Sequence, residues 1–255
     1  MPTRSELLVH DVIEAEGRPA VFLHALLGQR QFMAGLAEWW RIRNGSTLLI
    51  DLPGHGESPA PASSISIGNS AGEVRRVVRA AGLQKPVLIG HSMGALVALE
   101  MAARHSDEVA AVILLDPAPV VLDPDTRSGW EGLLEMLQGD GYEEAKKILI
   151  DAQSGPYDDK TAVAGRAAIM EKIDPDTLIQ SFASMLAWDG GSALSRISVP
   201  VAGFWAGRNS EPEVLLAHQP GAFIGQVIAS GHYVHLEAAD QVVAMINRCM
   251  QVWKL

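Results

Sequence analysis

Residues 86–104 read PVLIGHSMGALVALEMAAR. The compact apolar run at its start suits a buried parallel strand, and the alanine-rich stretch at its end suits an amphipathic helix. Between them Gly90-His91-Ser92-Met93-Gly94 satisfies the pattern G-x-S-x-G. A serine on a strained strand-to-helix turn needs small neighbours, because the backbone there passes close to the adjoining strand and helix. Such a turn pushes the Ser92 hydroxyl out of the sheet. It also sets the Met93 amide at a helix N-terminus, where it can donate to an oxyanion. A glycine turn with an incidental serine gives the same five letters; the strand before and the helix after give them weight.

Working outward, short apolar runs alternate with longer helical patterns, the signature of a parallel sheet with crossover helices. The runs are PAVFLH (19–24), STLLID (46–51), PVLIG (86–90), AVILLD (111–116), VPVAGFW (199–205) and AFIGQVIA (222–229). ELLVHDVIE (6–14) alternates roughly in and out, as an antiparallel edge strand does. Helical patterns fall at 29–42, 67–82, 93–105 and 237–253. The predicted fold class is α/β, a mostly parallel sheet flanked by helices. From Asp116 to Val199 no strand-like run appears, while 128–152 and 161–188 carry helical patterns, punctuated by GDG (139–141) and SGPYDD (154–159). That span is too long for a plain loop. It predicts a core of residues 1–119 and 189–255 with a helical cap inserted at 120–188. A cap after the carboxyl end of a parallel strand would roof the place where ligands bind.

The bulk properties narrow the function classes. The chain has 255 residues, 48% hydrophobic and 20% charged, with 30 acidic against 20 basic side chains and a net charge of −10. Such a surface repels a phosphate backbone, so nucleic acid is not an expected partner. The single cysteine, Cys249, cannot form an intrachain disulfide and sits in an apolar segment. Neither a signal-peptide core nor a membrane-length apolar run is visible, so a cytoplasmic protein acting on a small molecule, as monomer or homodimer, is the expectation.

With these motifs the chain resembles the α/β-hydrolase superfamily over nearly its full length. DLPGHGES (51–58) resembles the family's D-x-P-G-x-G-x-S turn, and MLAWDGGSALSRISVPV (185–201) its return from cap to core. SGHYVHLEAADQV (230–242) resembles the histidine-bearing loop, which selects His232 as general base with Glu237 five positions on. His235, between Val234 and Leu236, reads as packed. His55 and His91 occupy positions that the resemblance makes structural. The family's oxyanion loop corresponds to His24-Ala25-Leu26-Leu27-Gly28, so Leu26 would supply the second amide beside Met93. Ala25 departs from the usual glycine and crowds that turn. His24, Ala25, Trp130 and Trp188 are the expected substrate-contacting residues.

The resemblance also leads one to expect a triad aspartate near position 210, and there the chain reads WAGRNSEPE (205–213). Asn209 and Ser210 cannot carry the charge. Glu211 precedes Pro212, whose ring restricts its backbone. Glu213 falls in what looks like the first turn of a helix. Asp116, at the end of AVILLD, stands on the strand that this topology places next to the nucleophile strand. Some lactonases and cofactor-free quinolone dioxygenases of the superfamily resemble this arrangement. Asp116 is therefore the expected acid, with Glu211 the alternative and Asp123 behind both, although an aspartate before proline also caps turns.

The implied function is a serine hydrolase cleaving a small, largely apolar ester, lactone, amide or thioester through an acyl-enzyme on Ser92, without metal or organic cofactor. Two other readings stand beside it. One is a cofactor-free oxygenase or carbon–carbon bond hydrolase acting on an aromatic substrate with the His232–Asp116 dyad. The other is a non-enzymatic ligand sensor on a hydrolase shell. Arg208, next to the site loop, is either a contact for an anionic substrate or an ordinary surface arginine.

Overall fold

The computed structural model describes residues 7–206 and 212–255. Among the described residues seven strands form one sheet: β1 (His10–Ile13), β2 (Ala20–Leu23), β3 (Thr47–Ile50), β4 (Val87–His91), β5 (Ala111–Leu115), β6 (Val201–Ala206) and β7 (Phe223–Val227). Their order is β1-β3-β2-β4-β5-β6-β7. Only β1 runs antiparallel, at the edge against β3, as its alternating pattern predicts. Every residue of β2, β3, β4, β5 and β6 is buried, which is why those runs read as continuously apolar.

Helices α1 (Ala34–Arg43), α2 (Ile67–Ala80) and α3 (Met93–Arg104) cross over between the first strands. Four helices then fall between β5 and β6: α4 (Pro124–Gln138), α5 (Tyr142–Asp151), α6 (Lys160–Met170) and α7 (Pro175–Ala187). The chain closes through α8 (Gly190–Arg196), α9 (Pro212–His218), α10 (Val234–Glu237) and α11 (Ala239–Trp253). Side-chain alternation divides the core into two layers. Ile89, Ile113 and Leu115 face Trp40 of α1 and Ile246 of α11. Leu88, Val112 and Leu114 face Val74 of α2 and Leu96 of α3 on the other side, in a cluster that also takes in Phe182 and Met185 of α7.

Several elements differ in extent from the sequence pattern. The pattern at 128–152 is two helices: α4 ends at Gln138 and α5 starts at Tyr142, with the glycines of GDG between them. The pattern at 161–188 splits at Asp174, whose carboxylate accepts from the Thr177 amide and starts α7 with Pro175 at its first position. The helix expected from residue 29 begins as a 3₁₀ turn over Arg30–Met33. The strands expected at 6–14 and 222–229 are shorter, spanning His10–Ile13 and Phe223–Val227.

An ion cluster, buried at its Asp51–Arg30 centre, ties the loops at the carboxyl end of the sheet together. Asp51, fully buried after β3, pairs with the Arg30 guanidinium, which also meets Asp11 at 2.7 Å and Glu57 at 2.6 Å. The same carboxylate accepts from the amides of Arg30 at 2.6 Å and Glu57 at 3.0 Å. Removing one member of such a pair leaves a charge buried without compensation. Arg30→Met should therefore cost about 3 kcal/mol, read as a lowered urea midpoint with unchanged slope; a midpoint equal to wild type would show that the cluster carries no stability.

Candidate active site

The strained turn expected of Ser92 is present. Its backbone has φ 52° and ψ −116°, in the left-handed half of the map that L-residues avoid, and it stands between β4 and α3. The glycines are required by space. A Cβ on Gly94 would come within 2.6 Å of the His24 carbonyl oxygen, and one on Gly90 within 2.6 Å of the Ala95 Cα. Met93 opens α3, so its N–H belongs to the first turn, whose amides have no intrahelical acceptor.

The neighbouring strand ends just as tightly. His91 of β4 is paired with Leu115 of β5, so Ser92 and Asp116 leave the sheet side by side. The Ser92 amide donates to the Leu115 carbonyl at 3.1 Å, and the Asp116 amide to the Phe204 carbonyl at 2.7 Å. Asp116 also has positive φ, 38°. Non-glycine residues held there cost roughly 1–3 kcal/mol each, and such strain gathers at functional sites. The Asp116 carboxylate is buried, and both oxygens are used: Oδ1 accepts from the Ala206 amide at 2.8 Å, Oδ2 from His232 Nδ1 at 2.6 Å. With Nδ1 carrying the proton, Nε2 of His232 is the basic nitrogen.

Ser92, Asp116, His232 and Leu26 line one cavity of about 460 Å³. The inserted helices contribute Trp130 and Leu133 from α4, and Phe182 and Met185 from α7; Trp205 comes from the end of β6. Among the described residues no lysine or arginine lines it. Its polar groups away from the strand ends are committed to other contacts: the Thr126 hydroxyl donates to Asp123 Oδ2, and Gln153 Oε1 accepts from the Tyr233 hydroxyl.

The other predicted residues are placed as follows. Trp130 stands in the cavity wall, with its ring 5.0 Å from that of Phe182. Trp188 does not reach the cavity; its indole N–H donates to Glu100 Oε2 at 2.9 Å. His24 and Ala25 do not line it either. His24 lies beneath, donating from Nδ1 to the Ala25 carbonyl at 2.7 Å and accepting the Leu52 amide on Nε2 at 2.9 Å. It braces the loop that carries Leu26 against the loop after β3, and no sequence pattern distinguishes that role from substrate contact. Asp123 caps α4 by accepting the amides of Asp125 and Thr126. Glu213 sits in the first turn of α9. Glu211, Asn209, Ser210 and Arg208 lie outside the described residues. Glu237 is paired with Arg166 of α6 at 2.6 Å, a contact across 71 positions that no local pattern announces.

Four buried histidines surround the site without entering it. His91 donates from Nε2 to the His232 carbonyl at 2.9 Å, and His235 from Nε2 to the Phe32 carbonyl at 3.1 Å. His55 donates to the Pro53 carbonyl at 3.0 Å. Burial disfavours the charged ring in each. It lowers His24 to about 4 and His235 to about 3, holds His91 well below the ordinary value, and with nearby His24 brings His55 to about 3.

Among the described residues no group of three or more His, Cys, Asp or Glu is placed to hold a metal ion, and no helix is long and apolar enough to cross a membrane.

The model of the alpha/beta hydrolase fold matches residues 19–164, and the chain belongs to that family. It is 26% identical over 251 residues to a putative esterase/lipase of Haemophilus influenzae, covering 94% of this chain and 85% of that one. Over 170 residues it is 27% identical to the pimeloyl-[acyl-carrier protein] methyl ester esterase of Chromobacterium violaceum, covering 64% of this chain and 65% of that one. Among solved structures it is similar to the enol-lactonase of Burkholderia xenovorans, with TM-score 0.84, 18% identity and 96% of each chain covered.

The buried histidines set the acid response of the fold. Their folded-state affinity for protons is lowered, so the unfolded chain binds more protons between about pH 3 and the ordinary histidine value of about 6.5. The stability they contribute is complete above that window and is lost as pH falls through it. The melting temperature should drop by several degrees between pH 7 and pH 5. A flat profile over that range would mean that these rings are not buried neutral.

Proposed function

We propose that the chain is a serine hydrolase of ester-type bonds, with Ser92 as nucleophile, His232 as general base and Asp116 as the acid that orients it. The observation that carries this is the 2.6 Å contact from His232 Nδ1 to Asp116, beside a cavity that Ser92 also lines. His232 Nε2 takes the Ser92 proton as Oγ attacks the carbonyl carbon. The Asp116 carboxylate, held by the Ala206 amide, stabilises the imidazolium that results. The amides of Leu26 and Met93 receive the oxyanion. His232 then protonates the leaving oxygen, and a water activated by the same ring releases the acyl group.

The walls select the substrate. With aromatic and aliphatic side chains around it and no cation among the described residues, the cavity accepts a neutral, apolar acyl group. A carboxylate carried into it would lose hydration without gaining a cationic partner among the described residues. Esterase and lactonase relatives support ester-type chemistry, and helices α4–α7 act as the cap over it.

A panel of p-nitrophenyl esters tests this. Neutral esters from acetate to decanoate should turn over at least about tenfold faster in kcat/KM than esters ending in a free carboxylate. Ser92→Ala should lose a thousandfold or more, on the order found when a triad member is removed. A preference for the carboxylate esters would overturn the substrate class, and full turnover by Ser92→Ala would overturn the mechanism.

A further inference from the structure

His232 sits on an irregular stretch between β7 and α10, where neither sheet nor helix fixes the backbone. Its carbonyl accepts from His91, but the residues around it are held from the cap. The Asp158 carboxylate, 8% exposed, bridges the two chains: Oδ1 accepts from the Gly231 amide at 2.8 Å, and Oδ2 from the Gly155 amide at 2.7 Å. Gly155 and Gly231 pack backbone to backbone, since a Cβ on Gly231 would lie 2.5 Å from the Gly155 nitrogen. One residue beyond His232, the buried Tyr233 donates its hydroxyl to Gln153 at 3.0 Å. The Arg166 guanidinium lies 4.8 Å over the Tyr233 ring and pairs with Glu237, each of the two charged side chains being 9% exposed.

Three positions of the histidine loop, 231, 233 and 237, are thus gripped by residues 153–166 of one cap segment. Charge-assisted hydrogen bonds to backbone amides are the strong kind, and this one is sheltered from water. We propose that Asp158 is a positioning residue for His232: the cap segment fixes the loop that aligns the imidazole between Asp116 and Ser92. The inference rests on the triad reading above. It makes the cap part of the catalytic alignment as well as a wall of the cavity. The two glycines have a reason in the same contact, because only bare backbones let the Asp158 carboxylate reach both amides.

The test compares wild type with Asp158→Ala and with the double variant Arg166→Met/Glu237→Leu, which removes the second grip without leaving a buried charge alone. Near-UV circular dichroism and the unfolding midpoint establish that each is folded; should Asp158→Ala not fold, Asp158→Asn replaces it. The readouts are kcat and KM on a neutral p-nitrophenyl ester, the rate of Ser92 labelling by a fluorophosphonate, and the far-downfield proton resonance of His232 Nδ1. Loss of alignment by about an ångström costs up to about 100-fold in rate. Asp158→Ala should lower kcat and labelling by about 10- to 100-fold, leave KM within about threefold, and broaden the downfield resonance through faster exchange. The double variant should move the same three readouts in the same direction. Folded variants with a lower midpoint but wild-type kcat and an intact resonance would make the contact merely structural and overturn the proposal. If wild type shows the resonance but neither labelling nor turnover, the hydrolase reading fails, and the resonance alone decides whether Asp158 positions the ring.

Discussion

The architecture of this site depends on one carboxylate serving two strands at once. Asp116 leaves β5 in a strained conformation, takes the Ala206 amide at the end of β6 on one oxygen, and takes His232 on the other. Because β5 lies between β4 and β6, this side chain stands between the strand that carries Ser92 and the strand after which the superfamily more often places its acid. A charge buried there needs both hydrogen bonds, since either one alone leaves part of the carboxylate desolvated and unpaired. The position of the imidazole follows from that requirement.

Around this centre the histidines divide their work by what each nitrogen meets. His91, His235, His55 and His24 donate to backbone carbonyls and are kept neutral by burial, and they brace the loops at the carboxyl end of the sheet. His232 is the one of this group whose Nδ1 meets a carboxylate. The Arg30–Asp51 cluster does the corresponding task beside Leu26, tying the loop after β2 to the loop after β3. Helices α4 and α7 give the cavity aromatic and aliphatic walls on the remaining side, and Asp158 holds the Gly231 amide beside His232.

The parts of this arrangement that obey a local rule were legible in the sequence. The elbow at 90–94 is set by steric needs that only glycine meets, and the buried strands show as apolar runs because both faces are covered. The expectation of Asp116 as the acid rests on elimination and on the likeness to lactonases and dioxygenases of the superfamily: no aspartate stands where the fold usually has one, and the adjacent strand ends in one. What stayed hidden depends on contacts between distant segments. His24 looked like a substrate contact because its position, next to the oxyanion loop, says nothing of the Leu52 amide that its ring accepts 28 positions away. Trp188 looked like cap lining, yet it turns to Glu100 on α3. Gln153, Asp158 and Arg166 carried no signal, since a carboxylate meeting an amide 73 residues away leaves no period in the chain. The helix break at 139–141 is legible as GDG, while the one at 171–174 shows only as the capping pair Asp174-Pro175 inside an otherwise continuous pattern.

The most direct test of the central claim is the rate at which a fluorophosphonate labels Ser92, read by intact mass, in wild type and in Asp116→Asn. If Asp116 orients and supports His232, wild type labels quickly and the folded variant slows by about a thousandfold or more, on the scale of losing the acid from a triad. Equal rates in the two proteins would contradict the account, because the serine would then be activated without the carboxylate on which the rest of the site is built.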